Sequence, residues 1–224
     1  MRALDKKMVD YSQFRFSKLN TPEFSHVKLL LGWVIYFIFY FLTENLIPVS
    51  GCHVIYCALD DLIPFNEVFV IIYVLWYFFV FIWLFYYFLY DVKQFRALQI
   101  FLILTQVIAM ITYMFYPSIQ LLRPEVFPRD NVFTWMLSII YAFDTPTGVC
   151  PSLHVGYCLA IFFTVWHDSG MKKGIKVFNG IFTLLVSIAV CFVKQHSAVD
   201  VFAGLLMCVL IEICLMIGRS CHGK

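Results

Sequence analysis

The chain has 224 residues, of which 62% are hydrophobic, 19% are aromatic and only 13% are charged. Soluble domains usually carry about 25% charged residues, so this composition excludes an ordinary soluble protein and indicates an integral membrane protein. The net charge is only +2, and we expect no nucleic-acid partner. Aromatic residues occur along the whole chain without an internal repeat, which indicates a single membrane domain.

Apolar segments of about 20 residues, the length needed to cross a bilayer, recur along the chain. We predict six such spans, at 27–46, 68–90, 98–116, 153–166, 177–193 and 199–217. The fourth is the shortest. The predicted fold is therefore an all-α bundle of six transmembrane helices, in which residues 26–218 form the membrane domain between a basic N-terminal segment, 1–25, and a short tail, 219–224.

Lysines and arginines concentrate on the cytoplasmic side of membrane proteins, and their distribution here predicts the orientation of the chain. Most of the 16 basic residues lie in the N-terminal segment, in the connections after the second and fourth spans, or in the tail. In chain order these are Arg2, Lys6, Lys7, Arg15, Lys18, Lys28, Lys93, Arg96, Lys172, Lys173, Lys176, Arg219 and Lys224. Both termini are therefore predicted to be cytoplasmic, and only Arg123, Arg129 and Lys194 fall on the other side.

The strongest candidate for chemistry is the polar stretch from Lys194 to Asp200, at the start of the last span. His196 and Asp200 are four residues apart and would share one face of a helix. Asp200 could then accept a hydrogen bond from one ring nitrogen of His196 and leave the other nitrogen as a nucleophile.

A second histidine occurs at the start of the fourth span, in the sequence Pro-Ser-Leu-His at 151–154. Proline is favoured at the first position of a helix, so we expect the helix to begin at Pro151. Its free N–H groups would stabilise an anion, and Ser152 and His154 add a hydroxyl and a titratable ring at the same rim.

The predicted topology places six polar residues at one leaflet boundary, namely Arg123, Ser152, His154, Lys194, His196 and Asp200. Arg123 lies in the long, proline-rich connection 117–151 and suits bidentate capture of a phosphate; a plain surface charge is the alternative. Two histidines among cations and hydroxyl donors match phosphoryl transfer, in which positioning and charge stabilisation carry most of the catalysis.

These residues resemble the signatures of the type 2 phosphatidic acid phosphatase superfamily, a group of histidine-dependent phosphoryl transferases that includes six-helix membrane enzymes. Arg123-Pro124 matches the end of the first signature, the 151–154 element matches the second, and His196 with Asp200 matches the end of the third. The matches agree in order, spacing and predicted side of the membrane, and they cover about 80 residues of the chain.

The sequence also departs from the family pattern at three positions. The family's lysine falls on Tyr116 and its second arginine falls on Val190, so Lys194 is a candidate replacement for one lost cation. Leu153 stands where many phosphatases have glycine. The 151–154 element, together with the Lys-Gln-His element at 194–196, looks closer to the branch that includes inositol phosphorylceramide and sphingomyelin synthases and many uncharacterised bacterial membrane phosphatases.

The resemblance implies a mechanism with a phosphohistidine intermediate. His196 would attack phosphorus, Asp200 would fix its tautomer, and His154 would protonate the leaving lipid oxygen. The phosphate would be held by Arg123, Lys194 and Ser152. Because these groups already neutralise the phosphate charge, we expect no metal and no other cofactor.

Three functions follow as hypotheses. The first is a lipid phosphate phosphatase in the cell membrane, acting at the extracytoplasmic face on a membrane lipid such as phosphatidic acid, phosphatidylglycerol phosphate or a polyprenyl pyrophosphate. The second is a phosphotransferase that passes a head group to a lipid hydroxyl. The third, prompted by the two missing cations, is a catalytically silent lipid-binding protein. The head group, the acceptor and the oligomeric state are left open.

Two further features have more than one interpretation. Cys52 and Cys57 lie in the first external loop, where they could form a disulfide or stay as free thiols. Glu212 lies deep in the last span, and ionisable groups inside membranes are functional candidates, but the sequence assigns it no partner. The chain has no C-x-x-C pair to support a zinc site.

Overall fold

A computed structural model describes residues 8–222 of the protein. Within this range the chain forms eight α-helices: α1 (Leu31–Leu46), α2 (Leu59–Leu62), α3 (Val70–Tyr90), α4 (Val92–Phe115), α5 (Val132–Phe143), α6 (Leu153–His167), α7 (Lys173–Phe192) and α8 (Ala198–His222). The same residues also form two short strands, β1 (His53–Val54) and β2 (Ser118–Ile119), and four short 3-10 helices, Phe16–Lys18, Ser25–Leu30, Val49–Gly51 and Glu67–Phe69. The predicted charges at Arg2, Lys6, Lys7 and Lys224 lie outside the described residues.

Five helical segments of residues 8–222 are long and apolar enough to cross a membrane: Ser25–Thr43, Glu67–Tyr90, Val92–Phe115, Lys173–Phe192 and Ala198–Ser220. They coincide with five of the six predicted spans and support a multi-pass membrane protein. Helix boundaries differ in two places. α4 begins six residues before the predicted span, because the side chain of Asp91 accepts a hydrogen bond from Gln94 N at 3.1 Å and caps the helix. α8 continues past residue 218, so the predicted boundary of a separate tail falls inside a helix.

The remaining predicted span is α6, which has 15 residues and a length of about 22 Å, against about 30 Å for the hydrocarbon core of a bilayer. It packs against α3, α4, α7 and α8, and most of its side chains are buried. α6 is therefore the central helix of the bundle, enclosed by protein.

The start of α6 lies unusually close to α8. A Cβ added to Gly204 would lie 2.9 Å from the backbone oxygen of Ser152, which is closer than side-chain atoms approach a backbone. Only glycine fits at this position without a backbone shift. The close approach brings the N-terminal ends of α6 and α8 together.

The connection 117–151, which the sequence shows to be long and rich in proline, contains a helix, α5, that was not among the predicted elements. Asn131 caps this helix by accepting hydrogen bonds from the backbone N–H groups of Phe133 and Thr134, and Thr134 returns a bond to the Asn131 N–H. Glu67 holds the same corner, since its carboxylate accepts two hydrogen bonds of 2.7 Å from Arg129. The connection is thus packed onto the start of α3.

The loop before α3 is tied to the same face of the bundle. β1 pairs in parallel with β2, with His53 opposite Ser118 and Val54 opposite Ile119. Cys52 and Cys57 are free thiols in this loop, so the structure gives the second of the two interpretations offered for them.

Candidate active site

The structure brings the two predicted histidines into direct contact. Nδ1 of His154, in the first turn of α6, lies 3.1 Å from Nε2 of His196, and the two ring centroids are 5.2 Å apart. On its other side His196 contacts Asp200, with 3.2 Å between Nδ1 and Oδ2. When Nδ1–H of His196 donates to this carboxylate, Nε2 carries the lone pair that a nucleophile needs.

A tight turn after α7 sets the position of His196. Lys194 has a φ of 52°, in the left-handed region that side chains other than glycine rarely adopt. The backbone N–H groups of Gln195 and His196 both donate to the oxygen of Val190, at 2.9 and 3.1 Å. The turn ends where the Ser197 N–H donates to Asp200 Oδ2 at 2.9 Å. Asp200 therefore orients His196 and caps its own helix.

Asp60, in the loop between α1 and α3, fixes this turn through its carboxylate. Its Oδ1 accepts a hydrogen bond from Ala198 N at 2.8 Å, and its Oδ2 accepts one from Ser197 Oγ at 2.6 Å and one from Cys57 N at 2.9 Å. Burial alone would raise the pKa of the Asp60 carboxyl, but these hydrogen bonds hold that pKa below its usual value. The sequence analysis missed Asp60, because no local pattern links it to a turn 137 residues away.

The start of α6 is held by three neighbouring helices. Trp76 Nε1 donates to the backbone oxygen of His154 at 3.1 Å, Tyr113 OH donates to that of Pro151 at 2.7 Å, and Ser152 N donates to that of Asp200 at 3.0 Å. The helix begins at Leu153 with Ser152 as its N-cap residue, two residues later than predicted.

The ring of His154 is enclosed by aromatic side chains. The ring centroid of Trp76 lies 4.3 Å away and that of Tyr73 lies 4.7 Å away. Both rings come from α3. They restrict the directions in which the His154 ring can turn, and so keep Nδ1 near His196.

Lys194 and Ser152, two of the predicted phosphate ligands, are engaged elsewhere or enclosed. The ammonium of Lys194 donates to the backbone oxygens of Asp60 at 3.1 Å and Ile63 at 2.6 Å. Ser152 is fully buried, and its Oγ has no hydrogen-bond partner in the described part of the chain. Lys194 therefore helps to hold the loop between α1 and α3 against the turn that carries His196.

Arg123, the third predicted phosphate ligand, lies behind Gln195. It donates to Gln195 Oε1, to the backbone oxygen of Asp144 at 2.6 Å and to that of Tyr141 at 3.3 Å. Its guanidinium also lies 4.3 Å from the centre of the Tyr141 ring. Arg123 is thus placed to polarise the amide of Gln195, the residue next to His196.

A cavity of about 730 Å³ begins at the two histidines and extends between α1 and α3. Polar side chains lie at its upper end, where Asp144, Gln195, His154 and His196 contribute to the wall. The rest of the wall is mainly aliphatic and aromatic. Among residues 8–222, no lysine or arginine lines this cavity.

Asp144 is a second residue that the sequence analysis did not assign to the site. Its Oδ2 accepts hydrogen bonds from Tyr73 OH at 2.8 Å and from Gln195 Nε2 at 3.2 Å. Arg123 donates to the oxygen of the same Gln195 amide. One hydrogen-bond network at the upper end of the cavity, beside His196, therefore joins Asp144, Tyr73, Gln195 and Arg123. The only signal in the sequence was a carboxylate at the end of the long connection.

No family model, curated protein or solved structure matches this chain. The resemblance to the phosphatidic acid phosphatase superfamily therefore rests on the sequence signatures alone. Within residues 8–222, no group of three or more His, Cys, Asp or Glu side chains is arranged to hold a metal ion, and the expectation of a metal-free mechanism stays a prediction.

Glu212 has two partners at the other end of the bundle. Its Oε1 accepts hydrogen bonds from His167 Nε2 at 2.9 Å and from Arg219 at 2.8 Å. Twelve residues of helix, about 18 Å, separate Glu212 from Asp200. It therefore ties the C-terminal end of α6 to α8 and has no place in the histidine site.

Proposed function

We propose that the protein is a membrane-embedded phosphatase that hydrolyses the phosphate ester of a lipid through a phosphohistidine intermediate. One observation carries the proposal: a His–Asp pair and a second imidazole meet at the polar end of a cavity that is otherwise apolar. An amphiphile with a phosphate head group and a hydrocarbon tail matches this distribution of polarity.

In the first step Nε2 of His196 attacks phosphorus and the bond from phosphorus to the lipid oxygen breaks. Asp200, 3.2 Å from Nδ1 of His196, keeps the proton on that nitrogen and stabilises the positive charge that develops on the ring. His154 gives its Nδ1 proton to the leaving lipid oxygen.

In the second step water attacks the phosphohistidine. His154, now neutral, takes a proton from that water as the bond from nitrogen to phosphorus breaks, which restores both rings. At 3.1 Å the two nitrogens are in direct hydrogen-bond contact, so an arriving phosphate must separate them.

Arg123 contributes to charge stabilisation through Gln195. Since Arg123 donates to the amide oxygen of Gln195, it polarises the amide N–H groups, which lie at the cavity wall and can turn from Asp144 towards phosphate oxygens. Preorganised donors of this kind, in a site shielded from water, stabilise developing charge strongly.

The membrane orientation belongs to the same proposal. The apolar segments predict six spans, and the distribution of lysine and arginine predicts cytoplasmic termini. In this proposal the histidines lie at the extracytoplasmic leaflet of the cell membrane. α6 is shorter than a bilayer but passes through the bundle surrounded by other helices, so it can serve as the fourth pass without spanning lipid itself.

A phosphotransferase is the second candidate, and the cavity favours it. His196 is only 7% exposed, and the space that reaches it is bounded mainly by apolar side chains. A lipid hydroxyl could therefore reach the phosphohistidine from the membrane and replace water as the acceptor.

The experiment that separates these functions uses purified protein in EDTA. Wild type and His196→Ala would be assayed on phosphatidic acid, phosphatidylglycerol phosphate, a polyprenyl pyrophosphate and a phosphodiester lipid, with all products identified by mass spectrometry. Free phosphate supports the phosphatase, and a new phospholipid supports the transferase. No product on any lipid, or phosphate release that survives His196→Ala, favours the catalytically silent lipid-binding protein.

A further inference from the structure

The end of the cavity farthest from the histidines is lined mainly by aromatic side chains. Leu30, Phe88 and Phe95 line this end. Trp76, which donates to the backbone of His154, marks the upper end on the same helix as Phe88. Twelve residues of α3 separate Trp76 from Phe88, so the cavity runs for about 18 Å, more than half of the ~30 Å hydrocarbon core of a bilayer.

Three aromatic side chains from the described N-terminal residues form the layer beneath Phe88 and Phe95. Tyr11 stacks on Phe88 with ring centroids 4.8 Å apart, and the ring of His26 lies 5.5 Å from Phe88 and 5.8 Å from Phe95. Phe24, fully buried, packs against Tyr11. We call Tyr11, Phe24, His26, Phe88 and Phe95 the aromatic floor.

Hydrogen bonds hold the residues around Tyr11 against the C-terminal end of α3. Tyr11 OH donates to the backbone oxygen of Phe88 at 2.7 Å and lies 2.8 Å from Nε2 of His26. Val9 N donates to the backbone oxygen of Leu89 at 2.7 Å. Burial raises the pKa of Tyr11 to about 12, so its hydroxyl stays protonated and keeps donating at any physiological pH. Hydrogen bonds therefore attach the aromatic floor to the C-terminal end of α3.

The side chains between the histidines and the aromatic floor are mainly aliphatic and aromatic, and some of them are tyrosines. Val80, Leu84 and Phe85 from α3 face Trp33 and Phe37 from α1 across the cavity. α1 packs against α4, and the cavity lies between α1 and α3. The space between these two helices therefore suits one flexible hydrocarbon chain. A polar ligand would leave its hydrogen-bonding groups unpaired here.

We propose that this cavity holds a single hydrocarbon tail of the lipid substrate and that the aromatic floor sets the longest tail accepted. The proposal rests on the proposed function for its head group but depends on none of the catalytic steps. A tail gains little by moving from lipid to an equally apolar cavity. Selection therefore acts against tails that are too long, because they must displace packed rings.

The probe is an equimolar mixture of saturated alkyl phosphates from octyl to docosyl, offered to the full-length protein in mixed micelles. The His196→Ala variant prevents turnover, and native mass spectrometry reports which chain lengths are bound. Displacing packed side chains is unfavourable, so occupancy should fall about tenfold beyond a limiting length, a difference of about 1.4 kcal/mol.

Three variants in the same background test the aromatic floor. Leu84→Trp fills the cavity one helical turn before Phe88, so the limiting length should shorten by about 6 Å of tail. Tyr11→Ala removes the ring stacked on Phe88 and should extend the limit. Ile82→Trp adds the same bulk to the opposite face of α3, where it lines a different cavity, and should leave the limit unchanged.

The outcomes are distinct. An unchanged limit in Leu84→Trp, or the same shift in Ile82→Trp, overturns the tail site, and Leu84→Phe repeats the test if the tryptophan variant does not fold. A limit that moves in Leu84→Trp but not in Tyr11→Ala removes the N-terminal segment from the aromatic floor. Selective binding without turnover in the wild type would instead reject the phosphatase and keep the tail site.

Discussion

Asp60 gives the sharpest test of how the candidate site is assembled, because it is not one of the proposed catalytic residues yet it binds the backbone of the turn that carries His196. Replacing Asp60 with alanine leaves Ser197 Oγ and the N–H groups of Cys57 and Ala198 without their acceptor. Asp60, Ser197 and Ala198 are all at most 4% exposed, so water reaches these groups poorly.

The cost follows from those lost bonds. An unsatisfied buried group costs about 1–3 kcal/mol, and the three losses are partly relieved by relaxation, so we expect Asp60→Ala to lower the free energy of unfolding by ~3 kcal/mol or more. For a chain of this size each kcal/mol corresponds to about 2–4 °C in Tm, so Tm should fall by about 6–12 °C. Phosphate release should also fall, since the turn carrying His196 loses its anchor.

Asp61 supplies a matched control. It is the adjacent aspartate, it is exposed, and its hydroxyl partner is Tyr56 in its own loop. Tm would be followed by intrinsic fluorescence in detergent, beside phosphate release from whichever lipid the product assay identifies as the substrate. If Asp60→Ala unfolds at the same temperature as Asp61→Ala, the anchoring role is wrong.

The pH dependence provides an independent measurement. Because the folded-state pKa of Asp60 is depressed, its contribution to stability is present above the unfolded-state pKa of about 3.9. The contribution is lost as the pH falls through the folded-state value. Tm of the wild type should therefore drop in acid more steeply than Tm of Asp60→Asn. Parallel acid profiles for the two proteins would contradict this assignment.

Three further predictions concern the site and the far end of the bundle. His154→Gln should lower phosphate release by about 10²- to 10⁴-fold, as for loss of a general acid. A substrate whose leaving group needs no proton should restore much of the rate. Equal losses on both substrates would argue against the acid role. Burial, together with the nearby Asp200 carboxylate, raises the pKa of Cys150 to about 12, so alkylation of Cys150 at pH 8 should be very slow. Alkylation should accelerate in Asp200→Asn, as measured by peptide mass spectrometry. An unchanged rate would show that Asp200 does not influence the Cys150 thiol. Glu212→Ala should reduce Tm, since hydrogen bonds to charged groups contribute about 1.5–3 kcal/mol. Phosphate release per folded molecule should stay at the wild-type level. A fall in specific activity would place Glu212 in the catalytic machinery.

The parts of the site that the sequence predicted depend on short-range spacing. His196 and Asp200 are four residues apart at a helix start, and a turn of helix brings such residues together whatever surrounds them. The five long spans were equally predictable, because an uninterrupted apolar run of that length has few other uses.

The parts that the sequence did not predict depend on contacts between distant segments. Lys194 was expected to bind phosphate, but its ammonium meets backbone oxygens of a loop about 130 residues earlier. Asp60 and Asp144 acquire their roles only when that loop and the long connection fold onto α8. α5 was a different kind of miss, since Asn131 and Thr134 already form a capping pattern before an apolar run.

The enclosure of α6 bears on how the protein is made. A 15-residue helix that touches other helices on most sides gains little from bare lipid, so it needs α3 and α4, synthesised before it, and α7 and α8, synthesised after it. His154 meets His196 only once α8 has entered the membrane. In the nascent chain the two halves of the candidate site therefore stay apart until the last helix is inserted, and biogenesis itself delays their assembly.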